Sequence, residues 1–240
     1  MQSPMGMSSI PQWWRLAGVA GIFWFVLFFV GAFVIQGDSP DSTQTLAEIK
    51  SYWASDSGKY LVSDFMISLG FVFGFVPFVV GLRWVLGSAE DGPPILSWTM
   101  MAAGLILTAL GGAAGAFEGA LAVASKNNIS LDDSTTQALV LASSYTFATG
   151  QLAIALFIAA PGLLVARTGV IWRWSGFIAL LSAPLLVIGA AWPIDGDEHG
   201  VFGAFGFFGF ALFGIWVLIT SIALIMRKEP PPSTERAMAR

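Results

Sequence analysis

Six long apolar stretches, separated by short polar connectors, most constrain how this chain of 240 residues can fold. A helix needs about 20 mostly apolar residues to cross the hydrocarbon core of a bilayer. Within lipid each span must satisfy its own backbone hydrogen bonds, and the two-residue alternation of barrel strands is absent from this sequence. The chain is therefore predicted to be an all-α, polytopic bundle with transmembrane helices at about residues 16–35, 60–86, 95–124, 137–166, 174–192 and 201–226.

The composition indicates lipid rather than water as the solvent of this bundle. Charged residues make up only 11% of the chain and hydrophobic residues 56%, whereas soluble domains carry about 25% charged residues. We expect one membrane domain over residues 1–228 and a flexible cytoplasmic tail over 229–240. The absence of cysteine excludes thiolate metal sites and cysteine nucleophiles. No basic tract points to a nucleic-acid partner.

The distribution of Lys and Arg predicts the orientation of the bundle, because these residues accumulate on the cytoplasmic side of membrane proteins. Eight of the eleven fall on the face that carries both termini, and eleven of the fifteen acidic residues fall on the other face. We therefore expect both termini in the cytoplasm. The first apolar run is also longer than the core of a signal peptide, which favours a retained anchor.

Two connectors on the acidic face contain patterns typical of helix starts. Residues 41–44 resemble a capping box, and Leu46, Ile49 and Trp53 then share one helical face. This predicts a short helix on the membrane surface or over the mouth of the bundle, either as a lid or simply as a structured loop. Residues 130–133 predict a second capping box just before the fourth span.

The last connector on the acidic face places Asp195, Asp197, Glu198 and His199 within five positions. Carboxylate oxygens suit calcium, magnesium or manganese, and an imidazole would admit zinc. A solvated acidic turn between two helices is the alternative interpretation. The loop is too short for an EF-hand.

Ionisable side chains at membrane depth are costly, which makes Asp64 and Glu118 candidate functional residues. Each lies one or two turns inside the acidic end of its span. Together they would line a water-filled vestibule, where paired carboxylates attract a cation or hold a shared proton. Alternatively, both reach the headgroup region near Lys59 or Lys126.

Small residues recur along the third span, with Gly111, Gly115 and Gly119 at intervals of four. Such stripes let helices approach closely in lipid, either within the bundle or between subunits. The fourth span has the most Ser, Thr and Gln, so we expect it to face the interior of the bundle.

Short aromatic and basic motifs complete the pattern: Tyr52-Trp53, Leu82-Arg83-Trp84, Trp172-Arg173-Trp174 and Trp216 with Thr220-Ser221. In their order along the chain they resemble uncharacterised multi-spanning membrane proteins of actinobacteria and their relatives, grouped as a domain of unknown function. The resemblance implies a multi-pass protein of the bacterial plasma membrane and implies no catalytic or binding residues.

These features bear on three classes of function. An accessory, scaffold or sensor subunit that acts in the bilayer through homo- or hetero-oligomeric helix packing is the first prediction, because small-residue stripes are abundant. A small cation- or proton-coupled transporter or channel with an acidic vestibule is the alternative. An enzyme is not predicted, and no cofactor is expected, since the sequence lacks the common hydrolase and phosphate-loop motifs.

Overall fold

The computed structural model describes residues 13–37, 40, 43–194 and 196–227. Within that part of the chain there are six helices long and apolar enough to cross a membrane and no strand, which confirms the all-α, six-span prediction. The helices are α1 (Trp13–Gln36), α2 (Leu46–Gly87), α3 (Ile95–Lys126), α4 (Asp133–Thr168), α5 (Arg173–Gly189) and α6 (Val201–Met226). The tail predicted at 229–240 lies outside the described residues.

Successive helices run antiparallel, so the bundle has two distinct ends. The end that carries the start of α1 and the loops 88–94 and 169–172 is called the arginine end here. The other end, with the connectors 127–132 and 190–200, is called the acidic end. At the arginine end the rings of Trp14 and Trp84 stack 6.0 Å apart, and the Arg83 guanidinium lies 4.0 Å over the Trp98 ring.

Helix α2 is far longer than the span predicted for it. Its 42 residues correspond to about 63 Å at 1.5 Å per residue, about twice the hydrocarbon thickness. The short helix expected near Leu46 is therefore not separate but the first part of α2. The capping box also differs: Thr45 is the cap, and its hydroxyl and backbone N–H pair with Glu48. Of the predicted box at 41–44, Asp41 and Ser42 lie outside the described residues.

The cap of helix α4 lies two residues later than the cap predicted at Ser130. The cap is Asp132, whose carboxylate accepts hydrogen bonds from the Thr135 N–H at 2.8 Å and from the hydroxyls of Ser134 and Thr135. These bonds favour the ionised form and lower the pKa of Asp132 to about 2.

Glycines set the close contacts between helices. A Cβ on Gly74 of α2 would lie 2.8 Å from the Trp24 backbone nitrogen of α1. A Cβ on Gly18 of α1 would lie 2.5 Å from the Ser221 carbonyl of α6. Helix α1 thus packs backbone to backbone against both α2 and α6. As expected from its polar residues, α4 is the helix with the largest buried share.

The middle of the bundle is filled by an aromatic core, in which the side chains have no exposed surface. Its members come from α1, α2, α4 and α6: Trp24, Phe75, Phe78, Phe157, Phe213 and Trp216. Ring centroids of Trp24 and Phe75 are 5.1 Å apart, and those of Phe75 and Phe157 5.3 Å apart. From this core to the arginine end, buried aliphatic residues continue the packing, so the centre of this half of the bundle is closed. Cavities of about 360 and 480 Å³ lie at its outer surface, beside Trp172 and beside Trp13 and Trp84.

Candidate functional site

Between the aromatic core and the acidic end lies a cavity of about 200 Å³, called the carboxylate cavity here. Both Asp64 of α2 and Glu118 of α3 line it, so the structure brings together the two carboxylates that the sequence singled out. The remaining walls come from α1, α4 and α6 and are mainly apolar.

Glu118 is held by a hydroxyl group of the neighbouring helix α4. The Ser143 hydroxyl of α4, on a buried side chain, donates a hydrogen bond of 2.7 Å to Glu118 Oε1. Tyr60 of α2 lines the same cavity as Glu118. Hydrogen bonds to a carboxylate fix its position and partly replace the water it loses on burial.

Asp64 lies against the backbone of α3, in the space left by a missing side chain. A Cβ on Gly115 would lie 2.5 Å from Asp64 Oδ1. Gly111 makes ordinary contact with the Phe71 ring at 3.6 Å, and Gly119 meets nothing within 4 Å. Of the three predicted packing glycines, Gly115 therefore leaves space for the Asp64 carboxylate of α2.

Two π-helical turns border the same cavity. Residues Val30–Gln36 end α1 in this conformation, and Phe71–Phe75 interrupt α2 shortly before Pro77. The first turn presents Gln36, whose side-chain oxygen accepts a hydrogen bond of 3.1 Å from the Ser63 hydroxyl. Wide turns of this kind occur frequently at functional sites, because they alter which side chains reach a cavity.

Basic side chains do not neutralise the two carboxylates. No Lys, Arg or His stands among the described residues that line the carboxylate cavity. Lys59 forms an ion pair with Asp56 instead. The cavity therefore contains two carboxylates, of which Glu118 has a hydroxyl partner, and no basic side chain among the described residues that line it.

The depth of both carboxylates follows from helix geometry. Asp64 precedes Arg83 by 19 residues, and Glu118 follows Trp98 by 20 residues. At 1.5 Å per residue, both carboxylates lie about 28–30 Å from the Arg83–Trp98 pair at the arginine end. Since the hydrocarbon core is about 30 Å thick, both lie close to its opposite boundary.

A second cavity of about 490 Å³, called the lateral cavity here, adjoins the first and shares four lining residues with it: Phe28, Ala32, Phe147 and Phe210. Glu198 and His199 line it at the acidic end, and Gln151 of α4 lines it deeper in the bundle. Phe207 and Phe208 line it too and are more than half exposed, which indicates that it opens sideways between α1 and α6.

The acidic loop does not form a metal centre from its described residues. Asp197 uses Oδ1 to accept a hydrogen bond of 2.8 Å from the His199 backbone N–H, closing a local turn. No group of three His, Asp or Glu side chains with metal-binding geometry occurs in the described part of the chain. Asp195 lies outside it, so a metal site at this loop stays a prediction.

The sequence did not single out Tyr60 or Gln36 as members of the site. Tyr60 precedes Asp64 by one helical turn, and this spacing places both on one face of α2. That signal was available in the sequence. For Gln36 there was no such signal, because a π-helical turn at the end of a helix cannot be recognised from hydropathy.

No known family model, curated protein or solved structure matches this chain.

Proposed function

We propose that this protein is a small membrane transporter or channel that binds a proton or a monovalent cation between Asp64 and Glu118. The single observation that supports this function is that both carboxylates line one cavity. Like charges at short range in a site of low dielectric favour uptake of positive charge. The Ser143 and Tyr60 side chains, which line the same cavity, supply further hydroxyl oxygen atoms for such a cation.

The test is flux into liposomes that contain the purified full chain. An imposed diffusion potential drives protons, followed by a trapped pH dye, and separately drives labelled sodium or rubidium. We expect flux of at least one of these ions in the wild type. Glu118→Gln and Asp64→Asn, which remove one negative charge each, should reduce that flux by about tenfold or more, equivalent to about 1.4 kcal/mol.

Asp56→Asn is the matched control, since Asp56 is on the same helix and side but pairs with Lys59 outside the cavity. It should leave the flux unchanged, because exposed ion pairs contribute little. Wild-type liposomes without flux, or equal flux in all four proteins, would contradict the proposal.

We also propose the bacterial plasma membrane as the location, with the arginine end facing the cytoplasm. The excess of Lys and Arg at that end supports this orientation. The resemblance to actinobacterial membrane proteins supports the choice of membrane. Labelling of single cysteines introduced at Ser88 and Ser130 by an impermeant reagent on intact cells tests it: only the cysteine at position 130 should react.

An accessory or scaffold role is the second candidate, and it has a specific feature in its favour. Gly112, Ala116 and Ala120 lie one turn apart along α3, and all three are exposed on the single chain. Such a small-residue face fits a second transmembrane helix. Ala116→Leu should then weaken a complex recovered in mild detergent, whereas Val187→Leu on the exposed surface of α5 should not.

A further inference from the structure

The cavity of about 360 Å³ beside Trp172, called the arginine cavity here, lies where the loop between α4 and α5 meets the end of α6. Two guanidinium groups line it, from Arg173 at the start of α5 and from Arg227 directly after α6. Neither Asp nor Glu stands among the described residues that line it. Two positive charges therefore share this cavity, and no carboxylate of its described lining balances them.

The Arg227 side chain lines the arginine cavity and keeps part of its surface exposed. Neither of the ion pairs between described residues involves Arg227. Partial burial lowers the pKa of Arg227, and no anionic neighbour raises it. The guanidinium has thus lost water without gaining a counter-ion from the described residues, which favours the binding of an anion.

Arg173 is held in place by a hydrogen bond that uses only one of its nitrogens. Its Nε–H donates to the Ala166 carbonyl, near the end of α4, at 2.7 Å. The side chain is exposed, and the ion pairs between described residues do not include it. The terminal nitrogens of a guanidinium form a planar fork that matches two oxygens of a phosphate. Because the bond to Ala166 leaves both terminal nitrogens, Arg173 can bind a phosphate while it stays attached to α4.

The position of the arginine cavity favours a lipid as the source of that phosphate. Trp172 lines the cavity and stacks on Trp174 with ring centroids 6.0 Å apart, and both rings are exposed. Tryptophans of this kind mark the headgroup layer of a bilayer. Part of the remaining wall is apolar and comes from Ala223, Leu224 and Met226 of α6. A phospholipid contacts both the arginines and this apolar wall, whereas a free phosphate uses the arginines alone.

We infer that the arginine cavity binds the phosphate group of an anionic phospholipid, with Arg173 and Arg227 on its oxygens and the start of its acyl chains along α6. Basic pockets between transmembrane helices bind anionic headgroups in this way. A zwitterionic lipid also carries an ammonium group, for which the described lining has no carboxylate. The inference goes beyond the proposed function, since this site lies at the other end of the bundle and takes an anion.

The experiment counts lipids bound to the purified full chain by native mass spectrometry in a neutral detergent. Phosphatidylglycerol is the probe, and phosphatidylcholine with the same acyl chains is the comparison lipid. We expect phosphatidylglycerol to bind about tenfold or more tightly, a difference of about 1.4 kcal/mol. Equal binding of the two lipids would overturn the inference.

Competition identifies the source of the phosphate group. Inorganic phosphate is added in large excess over phosphatidylglycerol, at constant ionic strength because salt screens exposed charges. We expect the lipid to stay bound, since it also contacts the apolar wall of the cavity. Displacement of the lipid would assign the arginine cavity to a free phosphate and would overturn the lipid as its ligand.

Substitutions separate the two arginines from the general positive charge of this end. Arg173→Gln and Arg227→Gln should each weaken binding of phosphatidylglycerol about fivefold or more. Arg167→Gln removes the same charge from an exposed position at the same end, outside the cavity, and should leave binding unchanged. Equal losses in all three variants would indicate attraction by net charge alone and would overturn the site.

Arg227 gives the cleaner of the two tests, because Arg173→Gln also removes the bond to Ala166. Arg227→Lys keeps the charge but not the planar fork, so it should retain more of the binding than Arg227→Gln. Unchanged binding in Arg227→Gln would overturn the role assigned to this guanidinium.

The two proposals fail separately. Ion flux that depends on Asp64 and Glu118, in a protein without preference for phosphatidylglycerol, would leave the proposed function intact and remove the inference. Lipid binding that depends on Arg227, in a protein whose flux ignores the two carboxylates, would do the reverse.

Discussion

The two halves of this bundle are packed differently. From the aromatic core to the arginine end, bulky rings such as Phe75 have no exposed surface and backbones touch at glycines. Towards the acidic end the same helices separate around the carboxylate cavity and the lateral cavity, whose walls combine phenylalanine rings with the carboxylates of Asp64 and Glu118. The closed half therefore holds the helices together, and the interior of the open half is available for ligands.

This contrast has a physical origin in the solvent. Lipid tails are as apolar as leucine, so helices associate in a bilayer through close packing and hydrogen bonds rather than through burial from water. The closed half combines close packing with polar contacts such as those from the Leu96 and Ser97 N–H groups to the Glu90 carboxylate. The open half is less tightly packed around its cavities, while Gly189 and Gly206 still hold α5 close to α6, and it keeps bonds such as that between Ser143 and Glu118. Substitutions that remove packed side chains should thus cost more stability in the closed half than beside the cavities.

The largest difference between the two halves is expected when one aromatic ring is removed from each. Phe75→Ala should lower the free energy of unfolding by about 3–5 kcal/mol, as for other buried phenylalanines. Phe147→Ala should change it by no more than about 1 kcal/mol, because Phe147 lines the cavities and is half exposed. Thermal unfolding in detergent measures both. Similar losses would mean that the open half also supports the fold.

Adding a methyl group at a glycine of each half should also affect the stability of the two halves differently. Gly74→Ala forces a Cβ against the backbone of α1 at 2.8 Å and should cost about 1–3 kcal/mol. Gly111→Ala makes only ordinary contact with Phe71 at 3.6 Å, and it should be neutral or stabilise by up to about 1 kcal/mol through helix propensity. Denaturation midpoints of the two variants decide this, and equal midpoints would contradict it.

A third pair of substitutions tests function within the open half. Gly115→Ala should displace the Asp64 carboxylate, which lies 2.5 Å from the new Cβ. We expect ion flux to fall about three- to tenfold, a change of about 1 kcal/mol. Gly119→Ala has open space and should leave flux unchanged. Flux assays in liposomes compare the two variants, and equal flux in both would contradict the prediction.

The smallest effect is expected at the surface, outside both halves. The pKa of Asp132 is lowered to about 2 from 3.8 by its bonds to the start of α4. Its contribution to stability is therefore complete above about pH 3.8 and is lost as the pH falls through about 2. Asp132→Ala should lower the melting temperature slightly at pH 7 and by less at pH 2.5. A difference that grows on acidification would contradict this.

Hydropathy was sufficient to predict six spans, because the need for about 20 apolar residues leaves few alternatives. It could not predict that α2 starts at Leu46, since the segment before Tyr60 is polar and reads as a connector. The equal depth of Asp64 and Glu118 followed from counting residues along antiparallel helices. Counting residues could not predict that Asp64 and Glu118 line one cavity. That depends on the Asp64–Gly115 contact and on the rotation of α2 about its axis, which only tertiary packing determines.

The depth of the carboxylates has an electrical consequence. Asp64 and Glu118 lie near the acidic boundary of the hydrocarbon, and the closed half fills most of the remaining thickness. Nearly all of the transmembrane voltage therefore falls across the aromatic core and the residues beyond it. Binding of a cation from the acidic side should depend little on voltage. Passage through the closed half should carry the dependence, up to about 2.3 kcal/mol per charge for each 100 mV.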